Sequence, residues 1–191
     1  QRWTPGAETE GWLTVYHQLL GDGYFPADRC LARCEVGTGA RAVIEGIAAT
    51  PLRAGAPSLA AVRLRVACGA ALIYRPGPLL PHAGAVHGSA LDAAVAAGGR
   101  LALFQLVTAG RTAHEPGRFR RLVLRTRLTV EDTPLLDEAL VVTPSDWPAG
   151  DPVVLLAAAL GPWPASQSAW WEPVLRAASV GAASPLGDAG V

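Results

Sequence analysis

The stretch "RFRRLVLRTRLTVEDTPLLDEALVV", residues 118–142, decides how this chain is to be read. From Arg121 to Val130 the residues alternate. Leu122, Leu124, Thr126, Leu128 and Val130 share one face, and Arg121, Val123, Arg125, Arg127 and Thr129 share the other. A strand sends successive side chains to opposite faces, so a period of two predicts a half-buried strand. "EDTP" (131–134) supplies turn chemistry and "LLDEALVV" returns, which predicts an antiparallel hairpin. Just upstream, a Gly110-Arg111 turn leads to His114 and Glu115. The same stretch therefore holds groups able to form an active site, a metal relay, a nucleic-acid grip or a docking surface.

The same period recurs towards the N-terminus. In "DRCLARCEV" (28–36), Cys30, Ala32, Cys34 and Val36 fall on one face and Arg29, Leu31, Arg33 and Glu35 on the other. "GTGA" (37–40) reads as a turn and "RAVIEGIAA" (41–49) as the next strand. "SLAAVRLRVA" and "AALIYR" follow, divided by a Cys68-Gly69 break. "PGPLLPHAGA" (76–85) reads as a connection, because its prolines remove backbone donors from any ladder. "VHGSALDAAVA", "LALFQLVTA" and an apolar run over 153–160 complete the strands. "SAWWEPVLRAAS" (168–179) is the one helical pattern, with Ser168 as N-cap and Glu172 in the first turn. Heptads and repeats of solenoid period are not evident in this reading. Many short strands at roughly ten-residue spacing predict an all-β architecture with a minor helical element.

Composition narrows the classes. The 191 residues suffice for one domain with a hydrophobic core. Half are apolar and 17% charged, which excludes a disordered chain. Sixteen basic residues, all arginine, balance sixteen acidic ones. A neutral total provides no long-range attraction to nucleic acid or an anionic membrane. The longest apolar run is far short of the ~20 residues of a membrane helix, and no signal-peptide pattern opens the chain. Three cysteines make no disulfide framework and fit a reducing compartment, so the expected location is the cytoplasm.

Individual constellations are weak. Cys30 and Cys34 would lie ~13 Å apart along a strand, too far to share a metal or a disulfide, and read as small core residues. His82 and His87, five apart, fall on opposite faces of any strand and read as surface histidines. Neither a nucleophile elbow nor a phosphate loop is present. The arginines of the hairpin suit either a solvated face or a docking surface for an acidic partner, because guanidinium binds carboxylate bidentately.

Four segments taken together resemble the urease accessory protein UreD (UreH) family, in its actinobacterial form. These are "ADRCLARCEVGTGARAVI", "GIAATPLRAG", "CGAALIYRPGPLLPHAGAVH" and "LALFQLVTAGRTAHEPGRFRRLVLRTRLTVEDTPLLDEAL". They match the family's Gly-Asp and strand, its Ala-Ala-Thr segment, its Pro-x-Pro loop, and its Gly-Arg turn with the arginine-bearing strand. Ala27 stands where the family has the Gly of Gly-Asp, and the His-Glu-Pro-Gly order at 114–117 departs from that of many relatives.

The resemblance implies one UreD-like domain over residues 1–191, shorter at both ends than its relatives, with a mainly β fold of stacked, sandwich-like antiparallel sheets and one or two short helices. It implies a non-enzymatic nickel-insertion chaperone that docks on the urease subunits and UreF, which recruits the GTPase UreG. Nickel is in transit, no cofactor is tightly bound, and neither nucleic acid nor membrane is a partner. On this reading Asp28, Glu115 and His114 line the nickel path, while Arg111, Arg118, Arg121, Arg125 and Arg127 meet partners. The alternative is a β-rich interaction module of the same ancestry that does not handle metal.

Overall fold

The computed structural model describes residues 2–5, 11–19, 21–108, 118–146, 153–161 and 163. In chain order its strands are β1 (Arg2–Pro5), β2 (Leu13–Gln18), β3 (Arg29–Val36), β4 (Arg41–Gly46), β5 (Thr50–Leu52), β6 (Ser58–Val66) and β7 (Ala71–Arg75). They continue with β8 (Leu79–Pro81), β9 (Val86–Val95), β10 (Arg100–Thr108), β11 (Arg121–Val130), β12 (Thr133–Val142) and β13 (Val153–Leu160). A three-residue 3₁₀ turn spans Pro144–Asp146. The helix expected over 168–179 lies outside the described residues.

Two sheets stack face to face. One holds eight strands in the order β1-β2-β4-β7-β10-β8-β5, with β13 along the other side of β10. The second holds five, in the order β12-β11-β9-β6-β3. The mainly β expectation stands, but the antiparallel sandwich does not. Among the described residues eight strand pairings are parallel and three antiparallel. The chain winds as a parallel β-solenoid-like coil, passing from one sheet to the other and back.

A repeat of 29 or 30 residues drives that winding, contrary to the expectation that none exists. Val36-Gly-Thr-Gly-Ala40, Val66-Ala-Cys-Gly-Ala70 and Val95-Ala-Ala-Gly-Gly99 are three copies of one corner. Gly39, Gly69 and Gly98 hold φ of 71°, 67° and 67°, the left-handed region that glycine enters without a Cβ clash. Each corner closes with the same bond: Ala40 N to Gly37 O at 3.0 Å, Ala70 N to Ala67 O at 3.1 Å, and Gly99 N to Ala96 O at 2.9 Å. Corners also bond to one another, through Ala67 N to Val36 O and Ala96 N to Val66 O. Parallel strands require a crossover, and here the opposite sheet provides it in place of a helix.

Stacked corners align equivalent side chains into ladders. Val36, Val66, Val95 and Val130 stand in register across the five-stranded sheet. Ala42, Leu72 and Leu101 do the same in the larger sheet. Both ladders face inward and form a buried apolar core with Leu64, Leu91, Leu103 and Leu128. Removing this surface from water at roughly 25 cal/mol per Å² is the main stabilising term.

The expected hairpin is present and ends the coil. Glu131 and Asp132 have φ of 47° and 65°, a two-residue turn of the kind that matches strand twist. Chain reversal there makes β12 an antiparallel edge strand, with Pro134 at a position that needs no ladder donor. Leu122, Leu124, Thr126 and Leu128 are buried, and Arg121, Arg125 and Arg127 are exposed, as the alternation predicts. The proline-rich connection is not wholly irregular. Leu79–Pro81 forms β8, pairing in parallel with β5 and β10. Proline is tolerated there because the pairing is short and Pro81 is its last residue.

Candidate functional site

The ladders change character along the coil. At the corner end, inward positions hold Leu and Val. At the other end β6 and β9 place Ser58 opposite His87, and Ala60 opposite Ser89, on the inner face. Small side chains there leave a void between the sheets. A cavity of about 80 Å³ results, lined by His17, Tyr24, Tyr74, His87, Ser89 and Gln105 with apolar neighbours. That is well above the ~15 Å³ that admits one water.

His87 is 1% exposed. Its Nδ1 lies 2.8 Å from Ser58 Oγ, itself buried, and its ring tilts at 40° against Tyr24 with centroids 5.0 Å apart. Burial pushes its pKa down to about 4, so the imidazole is neutral near pH 7. His87 Nε2 and Ser89 Oγ are buried with no hydrogen-bond partner among the described residues. Leaving such a group unpartnered costs about 1–3 kcal/mol. Both face the same cavity and offer it an imidazole nitrogen and a hydroxyl. Across the cavity, Gln105 Oε1 accepts a 3.4 Å hydrogen bond from Thr126 Oγ1 and ties the sheets together. Burial also lowers the pKa of His17 and raises that of Tyr74, so both favour their neutral forms.

A second cavity of about 120 Å³ shares His17, Leu19 and Thr50 with the first and is walled by residues 47–51. Gly46 and Gly77 form a tight crossing beside it, since a Cβ on Gly46 would sit 1.8 Å from the Gly77 nitrogen. Chemically, the inner chamber presents imidazole, phenol, hydroxyl and amide groups, with no carboxylate or thiol among the described residues that line it. Such a set suits water or a borderline divalent ion in passing. Among the described residues no three His, Cys, Asp or Glu side chains are grouped to retain a metal.

Of the residues singled out in the sequence, Asp28, Arg118, Arg121, Arg125 and Arg127 are not among those lining the chamber. Asp28 sits in the turn before β3, where its Oδ2 accepts the Phe25 amide hydrogen at 2.8 Å. It lines neither of the two cavities. Arg111, His114 and Glu115 lie outside the described residues. Arg118 and Arg121 are exposed near Ala85, whose carbonyl accepts the Arg121 amide at 3.3 Å. Arg125 makes two 3.1 Å bonds to Asp137, which Arg127 also approaches at 4.0 Å.

Cys30 and Cys34 point inward on β3, half-buried, as core residues should. His87 corrects the expectation of surface histidines. It occupies an inward position of β9, whereas His82 lies in the loop between β8 and β9, within 3.2 Å of Arg53. Strand parity carried the missing signal. Counting back by twos from Val95, Ala93 and Leu91 gives Ser89 and His87, polar residues in an inward row.

A two-sheet parallel coil with a polar chamber between its sheets defines the class: a β-solenoid-like scaffold. Residues 4–183 match the family model of the UreD urease accessory protein. The chain belongs to that family. It matches no curated protein. No helix among the described residues is long and apolar enough to cross a membrane.

Proposed function

We propose that this chain is a non-enzymatic urease maturation factor that passes nickel through its interior while docked on the urease subunits and UreF, with UreG supplying GTP hydrolysis. One observation carries the reading. The inter-sheet chamber places the unpartnered His87 Nε2 and Ser89 Oγ beside a void that adjoins a second cavity. A neutral imidazole binds Ni²⁺ without first losing a proton, and a single such ligand holds it only transiently. Transit requires weak contact of this kind. Asp28, Glu115 and His114 are proposed to feed the path from outside, and Arg111, Arg118, Arg121, Arg125 and Arg127 to meet partners. The working compartment is proposed to be the cytoplasm.

The alternative, an interaction module without metal handling, is favoured by the lack of any carboxylate among the described residues that line the chamber. Co-expression with the urease subunits and accessory proteins of the same genome separates the two. The proposal expects this chain to co-purify with urease, and nickel-dependent activation to fail when it is omitted. Substituting Glu115→Ala and Asp28→Ala should then lower activation while capture persists. Capture with normal activation in every chamber and path variant would favour the interaction module. Failure to capture urease would overturn the maturation reading and leave the repurposed module.

A further inference from the structure

The outer face of the five-stranded sheet is organised by the same register as its core. Arg29, Leu31, Arg33 and Glu35 of β3 point outward and pair with Leu59, Ala61, Arg63 and Arg65 of β6. The rows continue through Gly88, Ala90, Asp92 and Ala94 of β9 into Val123, Arg125, Arg127 and Thr129 of β11. Two zones result. Towards the start of the strands lies an apolar strip containing Leu31 (51% exposed), Leu59 (44%) and Val141 (43%), with only Gly and Ala between them on β9. Beside it runs a charged row, Arg33-Arg63-Asp92-Arg127-Asp137.

Charge on this face is unbalanced. Asp92 is engaged by Arg65 at 3.4 Å, and Asp137 by Arg125 and Arg127. Arg33 and Arg63 are direct register partners, and neither has an ion pair among the described residues. Neighbouring strands are ~4.8 Å apart, so like charges in register destabilise the free sheet. A chain with a formal net charge of zero thus places seven arginines against three carboxylates on the outward rows of β3, β6, β9, β11 and β12. Exposed leucine beside unpaired arginine is the composition of an interface rather than of ordinary surface.

We infer that this face docks a protein partner presenting carboxylates beside an apolar strip, with Arg33 and Arg63 sharing a carboxylate. The complementary charge identifies the occupant. An acidic group between the two guanidiniums removes their repulsion and gains bidentate hydrogen bonds, while the strip covers Leu31 and Leu59. The surface extends well beyond the hairpin arginines to strands 90 residues earlier in the chain. Its link to urease maturation rests on the function proposed above, but its chemistry does not.

The test uses the full chain and two probes. The first is a fluorescent peptide of alternating Glu and Leu, followed by anisotropy at low salt. Arg33→Glu with Arg63→Glu should weaken its binding at least tenfold, while Arg41→Glu, an exposed arginine on β4, should change it less than twofold. Arg33→Glu alone should leave the melting temperature unchanged or higher, because the new carboxylate faces Arg63. The second probe is the co-expressed urease and accessory proteins, whose capture should fall with the same double substitution. Equal peptide binding by the double variant and the Arg41 variant overturns the inference, as does no binding by the wild type. Duplex DNA binding as tightly as the peptide would also overturn it, by showing a general polyanion surface. If the peptide arm succeeds and no urease partner is captured, the docking chemistry stands and the urease assignment fails.

Discussion

The two ends of the inter-sheet space share one backbone and one register, yet differ in content. At the corner end, Val36, Val66, Val95 and Val130 stand in register and pack into the apolar core. At the other end the same rows carry Ser58, His87 and Ser89, and the sheets enclose a cavity. In a coil, stability is held by whichever rungs are well packed, so a different rung can be left open without unwinding the fold. The stacked glycine corners hold the strands in place at one end while the chamber departs from good packing at the other.

The largest effect expected of that difference concerns the dry end. Leu72 is fully buried between Ala42 and Leu101 in the ladder. Leu72→Ala should cost about 2–5 kcal/mol in denaturant unfolding, since the surrounding ladder cannot collapse into the space. A loss below ~1 kcal/mol would show that the two ends are equally loose.

Next comes the acid response of the polar end. In the unfolded chain His87 would titrate at its ordinary value of about 6.5, whereas folded it accepts a proton only near 4. Between those values the unfolded state binds more protons, so stability falls as pH drops through this window and is retained above it. The differential is on the order of a few kcal/mol. Wild type should therefore lose more melting temperature between pH 6.5 and pH 4 than His87→Gln does. Parallel curves for the two proteins would place His87 in contact with solvent.

A smaller effect is expected at the surface. Asp137 anchors Arg125 and Arg127 across the hairpin, but its side chain and theirs are 40–58% exposed. Asp137→Ala should cost less than ~1 kcal/mol, and still less at high salt. A larger loss in thermal unfolding would make the hairpin pairing a structural clamp rather than a surface contact.

The strands were legible because alternation is local. β3, β9 and the β11–β12 hairpin can each be read from their own residues, down to which arginines face outward. The partner of each strand was not legible in that way. Antiparallel pairing is the default for consecutive strands joined by short turns, and only the 29–30 residue return of Val-x-x-Gly reveals that these turns change sheets. That repeat is short, with Thr38, Cys68 and Ala97 at its most variable position, and it is hidden by a chain rich in alanine and glycine. The chamber was missed for the related reason that His87 and Ser58, 29 residues apart, become neighbours only once the coil closes. At Asp28 a motif position suggests metal, and the carboxylate also accepts the Phe25 amide hydrogen in a turn, a local bond that the motif does not announce.

The most direct test of the central claim removes the polar pair while sparing the fold. Replacing both partners of a buried hydrogen bond by apolar groups is close to neutral, so Ser58→Ala with His87→Leu should change stability by less than ~1 kcal/mol. Nickel-dependent activation of co-expressed urease would be measured for this variant at matched recovery of the complex. The account predicts full capture of the partners with activation reduced at least tenfold. Activation equal to wild type, with the complex intact, would contradict it.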